Sequence, residues 1–207
     1  LHRSQQHTLT AGMDPAISAE LFPHVRIVMG TIIGLGITRL LMTIAGIIQH
    51  PHRAKRSLLH LLWIGSMLLE LVLFWWWEFA LHEIAVWHFG LVLFIMGYAT
   101  TLFLMTALLS PESISEYTGY EDFFLKRRHW FFGLLGATFV LDTIDTLIKG
   151  QAHWAQFDWS YFGQVPLGLL LCVLAWRSAD KRLHLSIVAV HIAYQIFLII
   201  RYFNTVS

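Results

Sequence analysis

Residues 129–150 read HWFFGLLGATFVLDTIDTLIKG, and this stretch decides the class of fold. It is long and apolar enough to span a bilayer as a helix, which takes about 20 residues. Yet Asp142 and Asp145 lie well inside its apolar run. An acid near the middle of a spanning helix costs about 2.5–3.5 kcal/mol on insertion scales unless a cavity or a partner receives it. Other helices must therefore surround this one.

The rest of the chain is of the same kind. Its 207 residues are 57% hydrophobic and only 13% charged, with a mean hydropathy of +0.61, a balance foreign to soluble domains of this size. Fourteen Lys and Arg against thirteen Asp and Glu leave no nucleic-acid footprint. The expected partners are membrane lipids and either other membrane-protein subunits or further copies of the chain. The single cysteine, Cys172, sits in an apolar segment and excludes an internal disulfide and a CxxC metal site.

Six apolar segments are predicted to span, over 25–48, 58–80, 84–109, 130–148, 161–176 and 183–202. The expected fold is all-α and polytopic, a bundle of six transmembrane helices over 25–207. Residues 1–24 form a polar N-terminal extension and a short interfacial helix. Met13 reads as a natural start, and in the DPAISAELF run from Asp14 an acid cap precedes proline at the first helical position. The fifth segment is short, and Gly163, Pro166 and Gly168 suggest a kinked or partly unwound helix there.

Basic residues set the orientation. Arg53, Lys55 and Arg56, then Lys126, Arg127 and Arg128, then Arg177, Lys181 and Arg182 fall in alternate connections, whereas the other side holds only Arg3, Arg26, Lys149 and Arg201. The positive-inside rule then puts both termini outside, in the periplasm of a bacterium. Trp75, Trp76, Trp77, Trp87, Trp154 and Trp159 read as the outer aromatic belt, with Trp63 and Trp130 marking the inner side. The longest inner connection, SPESISEYTGYEDFFLKRR, reads as an amphipathic surface helix or a docking site for a cytoplasmic partner.

Counted at about 1.5 Å per residue from the inner ends, Arg39 comes out near 14 Å, His191 near 12 Å, and Glu70 and Asp142 near 20 Å. With Asp145 these form an intramembrane polar layer. One reading is a structural ion pair between Arg39 and Asp142 or Glu70; the other is an ion or proton pathway, because three acids outnumber one arginine. Small residues along the first helix, Gly30, Gly34, Gly36 and Gly46, are expected to let a neighbour approach closely, Gly30 and Gly34 as a small-xxx-small contact.

Twelve histidines raise a haem or metal reading, for which His60, His129 and His184 near the inner helix ends are the candidates. No two share a helix at ligand spacing, and no cofactor is expected. HExxH, GxSxG, P-loop and dinucleotide fingerprints are missing from the sequence.

Taken together, GLGITRLL at 34–41, FWWWEF at 74–79, GYEDFFLKRRHWFFGLL at 119–135 and FVLDTIDTLIKG at 139–150 resemble a widespread group of bacterial, mostly proteobacterial, multi-pass membrane proteins. The resemblance runs over nearly the whole chain from Met13. That group has no established activity, so the resemblance implies a location in the bacterial inner membrane and no functional residue.

Two functional expectations follow. The first is a non-catalytic subunit or scaffold of a larger membrane complex. The second is a small carrier or channel for protons, cations or a small solute, acting as an oligomer because six helices leave little room for a cavity. A haem- or pigment-binding protein is a third.

Overall fold

A computed structural model describes residues 15–52, 54–84, 87–155, 161 and 163–203. The extension over 1–14, Arg53 and Trp159 lie outside the described residues. Six helices carry the fold: α1 Pro15–Gln49, α2 Leu58–Trp77, α3 Phe89–Leu109, α4 Tyr120–Ile148, α5 Gln164–Arg177 and α6 Lys181–Leu198. No strand occurs among the described residues, and five of the helical stretches are long and apolar enough to cross a membrane. With 14 residues, α5 extends about 21 Å and falls short of that length.

Local signals account for the helix starts. Ser57 accepts from the His60 amide at the head of α2, His88 Nδ1 accepts from the Leu91 amide at the head of α3, and Asp180 Oδ1 accepts from the Arg182 amide at the head of α6. Each supplies an acceptor to an amide that the helix itself leaves unsatisfied. Pro166 falls in the first turn of α5, where a missing N–H costs no helical bond. It begins a regular helix there and does not kink one.

In packing, α2 is central and touches α1, α3, α4 and α6, while α1 lies along α3 and α5 along α4. The contacts of α5 with α6, like those of α2 with α4, are few. The tightest part of the core is aromatic: Trp63 packs edge-on against Phe131 and Phe132, with Phe124 stacked beside it. Such pairs contribute about 0.5–1.5 kcal/mol each beyond their buried area. Trp63 is therefore core, not an interfacial marker, and Trp87, buried against Phe22, corrects the belt in the same way. Trp75, Trp76 and Trp130 are exposed, as belt residues should be.

Three contacts tie the base-bearing connections together at one end of the bundle. Lys55 pairs with Gly119, with the Tyr120 amide donating to Lys55 O at 3.1 Å. His60 Nε2 lies 2.7 Å from Leu109 O, and Lys181 Nζ lies 2.6 Å from Glu121 Oε2. A Cβ on Gly119 would stand 2.9 Å from Lys55 O, so this junction requires glycine. At the other end Arg26 lies over the Phe79 ring at 4.1 Å.

Several boundaries differ from expectation. Residues 15–24 are no separate interfacial helix, because α1 runs unbroken through Pro23. The inner connection forms no surface helix over 110–119; instead α4 begins at Tyr120, ten residues before the predicted start. Glu121 and Asp122 in its first turn complement the helix dipole, which favours that early start.

The glycines also divide differently. Of the four on α1 only Gly36 is closely packed, where an added Cβ would lie 3.3 Å from Thr106 Cγ2 and 3.4 Å from Leu71 Cδ1. Gly30, Gly34 and Gly46 have no neighbour within 4 Å of such an atom, so the Gly30–Gly34 contact is not made inside this chain. The closest approach belongs to α5 and α4: a Cβ on Gly168 would fall 2.4 Å from Phe139 Cζ.

Candidate functional site

Polar side chains gather in two tiers between α2, α4, α5 and α6. The upper tier closes the base-poor end. Lys149 Nζ lies 2.5 Å from Asp145 Oδ2, 3.3 Å from Glu78 Oε1 and 3.3 Å from Trp77 O. These three acceptors match the three protons of an ammonium. The three charged side chains are only 1% exposed, and Trp77 Nε1 adds a bond to Asp145 Oδ2 at 3.1 Å. Among the described residues of this tier two acids meet one base.

The lower tier holds Glu70 and Asp142. Glu70 lies eight residues before Glu78 and Asp142 seven before Lys149, which puts both about 10–12 Å deeper along their helices. Each carboxylate is held by one oxygen. Gln195 Nε2 donates to Glu70 Oε2 at 2.6 Å, and the Tyr161 hydroxyl donates to Asp142 Oδ2 at 2.6 Å, with Gln164 Nε2 at 3.4 Å. The second oxygens, Glu70 Oε1 and Asp142 Oδ1, accept no hydrogen bond from the described residues.

Neutral groups fix these anchors. Gln195 is oriented by Ser66, which donates to its Oε1 at 3.0 Å and accepts through its backbone carbonyl at 3.2 Å, and Ser66 Oγ also lies 2.8 Å from His191 Nδ1. Tyr161 is 2.7 Å from Thr146 Oγ1 and stacks on Trp77, which joins the two tiers. Helix α5 begins beside Asp142, since its first residue, Gln164, reaches that carboxylate.

Between the tiers' helices lies a cavity of about 390 Å³. Glu70, Asp142, His191 and Gln195 line it, and so do the aromatic side chains of Phe74, Trp77, Tyr98, Phe139, Tyr161 and Tyr194. No lysine or arginine is among the lining residues. The expectation that six helices leave little room for a cavity is thus corrected. Residues of both α5 and α6 form part of its wall.

The predicted layer is brought together in part. Glu70, Asp142 and His191 share the cavity, and Asp145 belongs to the buried tier above it. Arg39 joins neither. Its guanidinium faces Glu112 at 3.9 Å, and its carbonyl accepts from Ser110 at the end of α3. The reason is the length of α1, which continues about 15 Å past that level; depth counted from Ile48 carries Arg39 too far inward. The cation that meets the acids is Lys149, one turn after Asp145, a spacing that favours an ion pair. Glu78, Tyr161, Gln164, Gln195 and Ser66 escaped the sequence reading because single polar residues in apolar segments carry no periodic signal.

The histidine candidates are held separately. His60 and His184 each set Nε2 against a backbone carbonyl, of Leu109 and Ser178, and His129 lies edge-on to Trp176. No group of three metal-ligating side chains gathers among the described residues.

Set against protein-family models, curated proteins and solved structures, the chain matches none of them.

Proposed function

We propose that the chain is a six-pass carrier of the bacterial inner membrane, moving a small solute through the bundle in exchange for protons or cations at Glu70 and Asp142. One observation carries this reading: two acids line a cavity inside an apolar bundle, and its described lining holds no lysine or arginine, only the imidazole of His191. The buried cation, Lys149, is already committed to Asp145 and Glu78. Carboxylates so placed must hold a proton or a cation to stay in the bilayer, and exchanging one for the other is what coupling requires. The groups bearing on that exchange are Tyr98, Tyr161, His191 and the charges of Glu78, Asp145 and Lys149.

In this reading α5 is the fifth of six passes, its short helix beginning inside the bundle beside Asp142 as interrupted helices do in carriers. The bases gathered at one end then face the cytoplasm and both termini the periplasm.

The test is ion exchange in acid-loaded proteoliposomes of phosphatidylethanolamine and phosphatidylglycerol containing a pH dye. External Na⁺, K⁺ or tetraphenylphosphonium should drive proton efflux with the native protein, and the Glu70→Gln, Asp142→Asn double variant should not. Efflux equal to that of protein-free vesicles for every cation would overturn the carrier.

A second reading, a subunit or homo-oligomer, is favoured by α1. Ile27, Gly34, Leu41 and Ile48 recur every seven residues; the three aliphatics are 51–70% exposed, and Gly34 has space beside it. Small and aliphatic residues so arranged suit a neighbouring helix. Native-gel migration of the protein extracted from membranes tests it: a band at the mass of one chain in detergent rules it out.

A further inference from the structure

The lining of the cavity defines the kind of molecule it takes. A charged ligand suited to this wall is positive, because the wall offers two carboxylate oxygens that no described residue satisfies and no lysine or arginine. Burying those acceptors against an apolar or anionic molecule would leave them unpaired, which is costly. Beside His191, Gln164, Gln195 and Thr138, the lining includes the aromatic residues Trp77, Tyr98, Tyr161 and Tyr194, and aromatic rings attract cations that have shed their water.

Access is from the side. Leu167 of α5 and Val190 of α6 both line the cavity, yet they are 52% and 48% exposed. The space therefore opens between the two helices, onto the surface that large exposed aliphatics such as Leu170 and Val173 share. A ligand taking this path arrives dissolved in the bilayer, with an apolar body. A volume of about 390 Å³ suits one of modest drug-like size.

We infer that the cavity binds a hydrophobic organic cation, an ammonium or phosphonium whose apolar groups enter between α5 and α6 and whose charge rests between Glu70 and Asp142. The inference takes the cavity as the substrate site of the proposed carrier and names its substrate class.

The test compares two probes of the same shape and opposite charge, tetraphenylphosphonium and tetraphenylborate, binding to the full chain purified in neutral detergent, read by calorimetry. The phosphonium should bind at least tenfold more tightly than the borate. Glu70→Gln and Asp142→Asn should each weaken phosphonium binding about ten- to hundredfold, the range for losing one bond to a charged group. Val190→Trp, which blocks the mouth and spares both acids, should weaken it too. Equal binding of the two probes, or no phosphonium binding, overturns the inference, and the native protein alone decides that comparison. Selective phosphonium binding without ion exchange in vesicles would sink the carrier and keep the ligand class. Na⁺-driven exchange with no phosphonium binding would do the reverse.

Discussion

Lys149 Nζ sits 2.5 Å from Asp145 Oδ2, one turn back along the chain, and the same ammonium reaches Glu78, just past the end of α2, at 3.3 Å. The pair is thus an intrahelical contact that also fastens α4 to the end of α2. Removing the base alone takes the ion pair with Lys149 from two buried carboxylates. Lys149→Met should lower stability by about 3–5 kcal/mol, read as a fall in the detergent unfolding midpoint. Adding Asp145→Asn and Glu78→Gln should restore most of the loss, and a triple variant no better than the single one would refute the assignment.

Arg39 provides the contrast. Its partner Glu112 is 93% exposed at the side chain, and exposed pairs contribute about 0–1 kcal/mol. Arg39→Gln should therefore shift the unfolding midpoint little. A loss as large as that of Lys149→Met would mean that Arg39 does meet the buried acids.

Gly168 and Phe139 set the distance between α5 and α4. With a Cβ falling 2.4 Å from the ring, Gly168→Ala forces the helices apart and should cost about 1–3 kcal/mol. Shortening the ring in Gly168→Ala, Phe139→Leu should recover part of it. Gly34→Ala, with open space around the new methyl, should be neutral or stabilising by up to about 1 kcal/mol, measured in the same unfolding assay.

Tyr161 holds Asp142 and Thr146 at once. Tyr161→Phe keeps the ring on Trp77 and removes only the hydroxyl, which should cost about 1–3 kcal/mol. Because Asp142 then loses its shorter anchor, phosphonium affinity should change as well. A variant altered in stability and unaltered in phosphonium affinity would separate the anchor from the site.

Much of this arrangement was legible in the residues. Apolar run lengths located the five long helices, and Asp142 with Asp145 marked α4 as the helix others must shelter. Glu70, Asp142 and His191 line one cavity, and an ionisable residue deep in an apolar segment needs such an interior. The cation was misjudged because depth along α1 was counted from the end of its apolar run, and apolarity there continues beyond the end of α3. Lys149 lay near a predicted helix end, where bases ordinarily reach water, and only its spacing from Asp145 hinted otherwise. The cavity itself has no sequence signature, because it depends on how far α6 stands from α5.

The buried Lys149 cluster also bears on how the chain enters the bilayer. A helix carrying Asp142, Asp145 and Lys149 inserts poorly by itself, but synthesis delivers α2 first. In the proposed topology Trp77 and Glu78 have reached the far side of the membrane when α4 emerges, and the docking of Lys149 onto them draws the later helix to its full depth. Chains lacking α1 and α2, or with α2 and α4 exchanged in order, should leave α4 stranded at the translocation machinery.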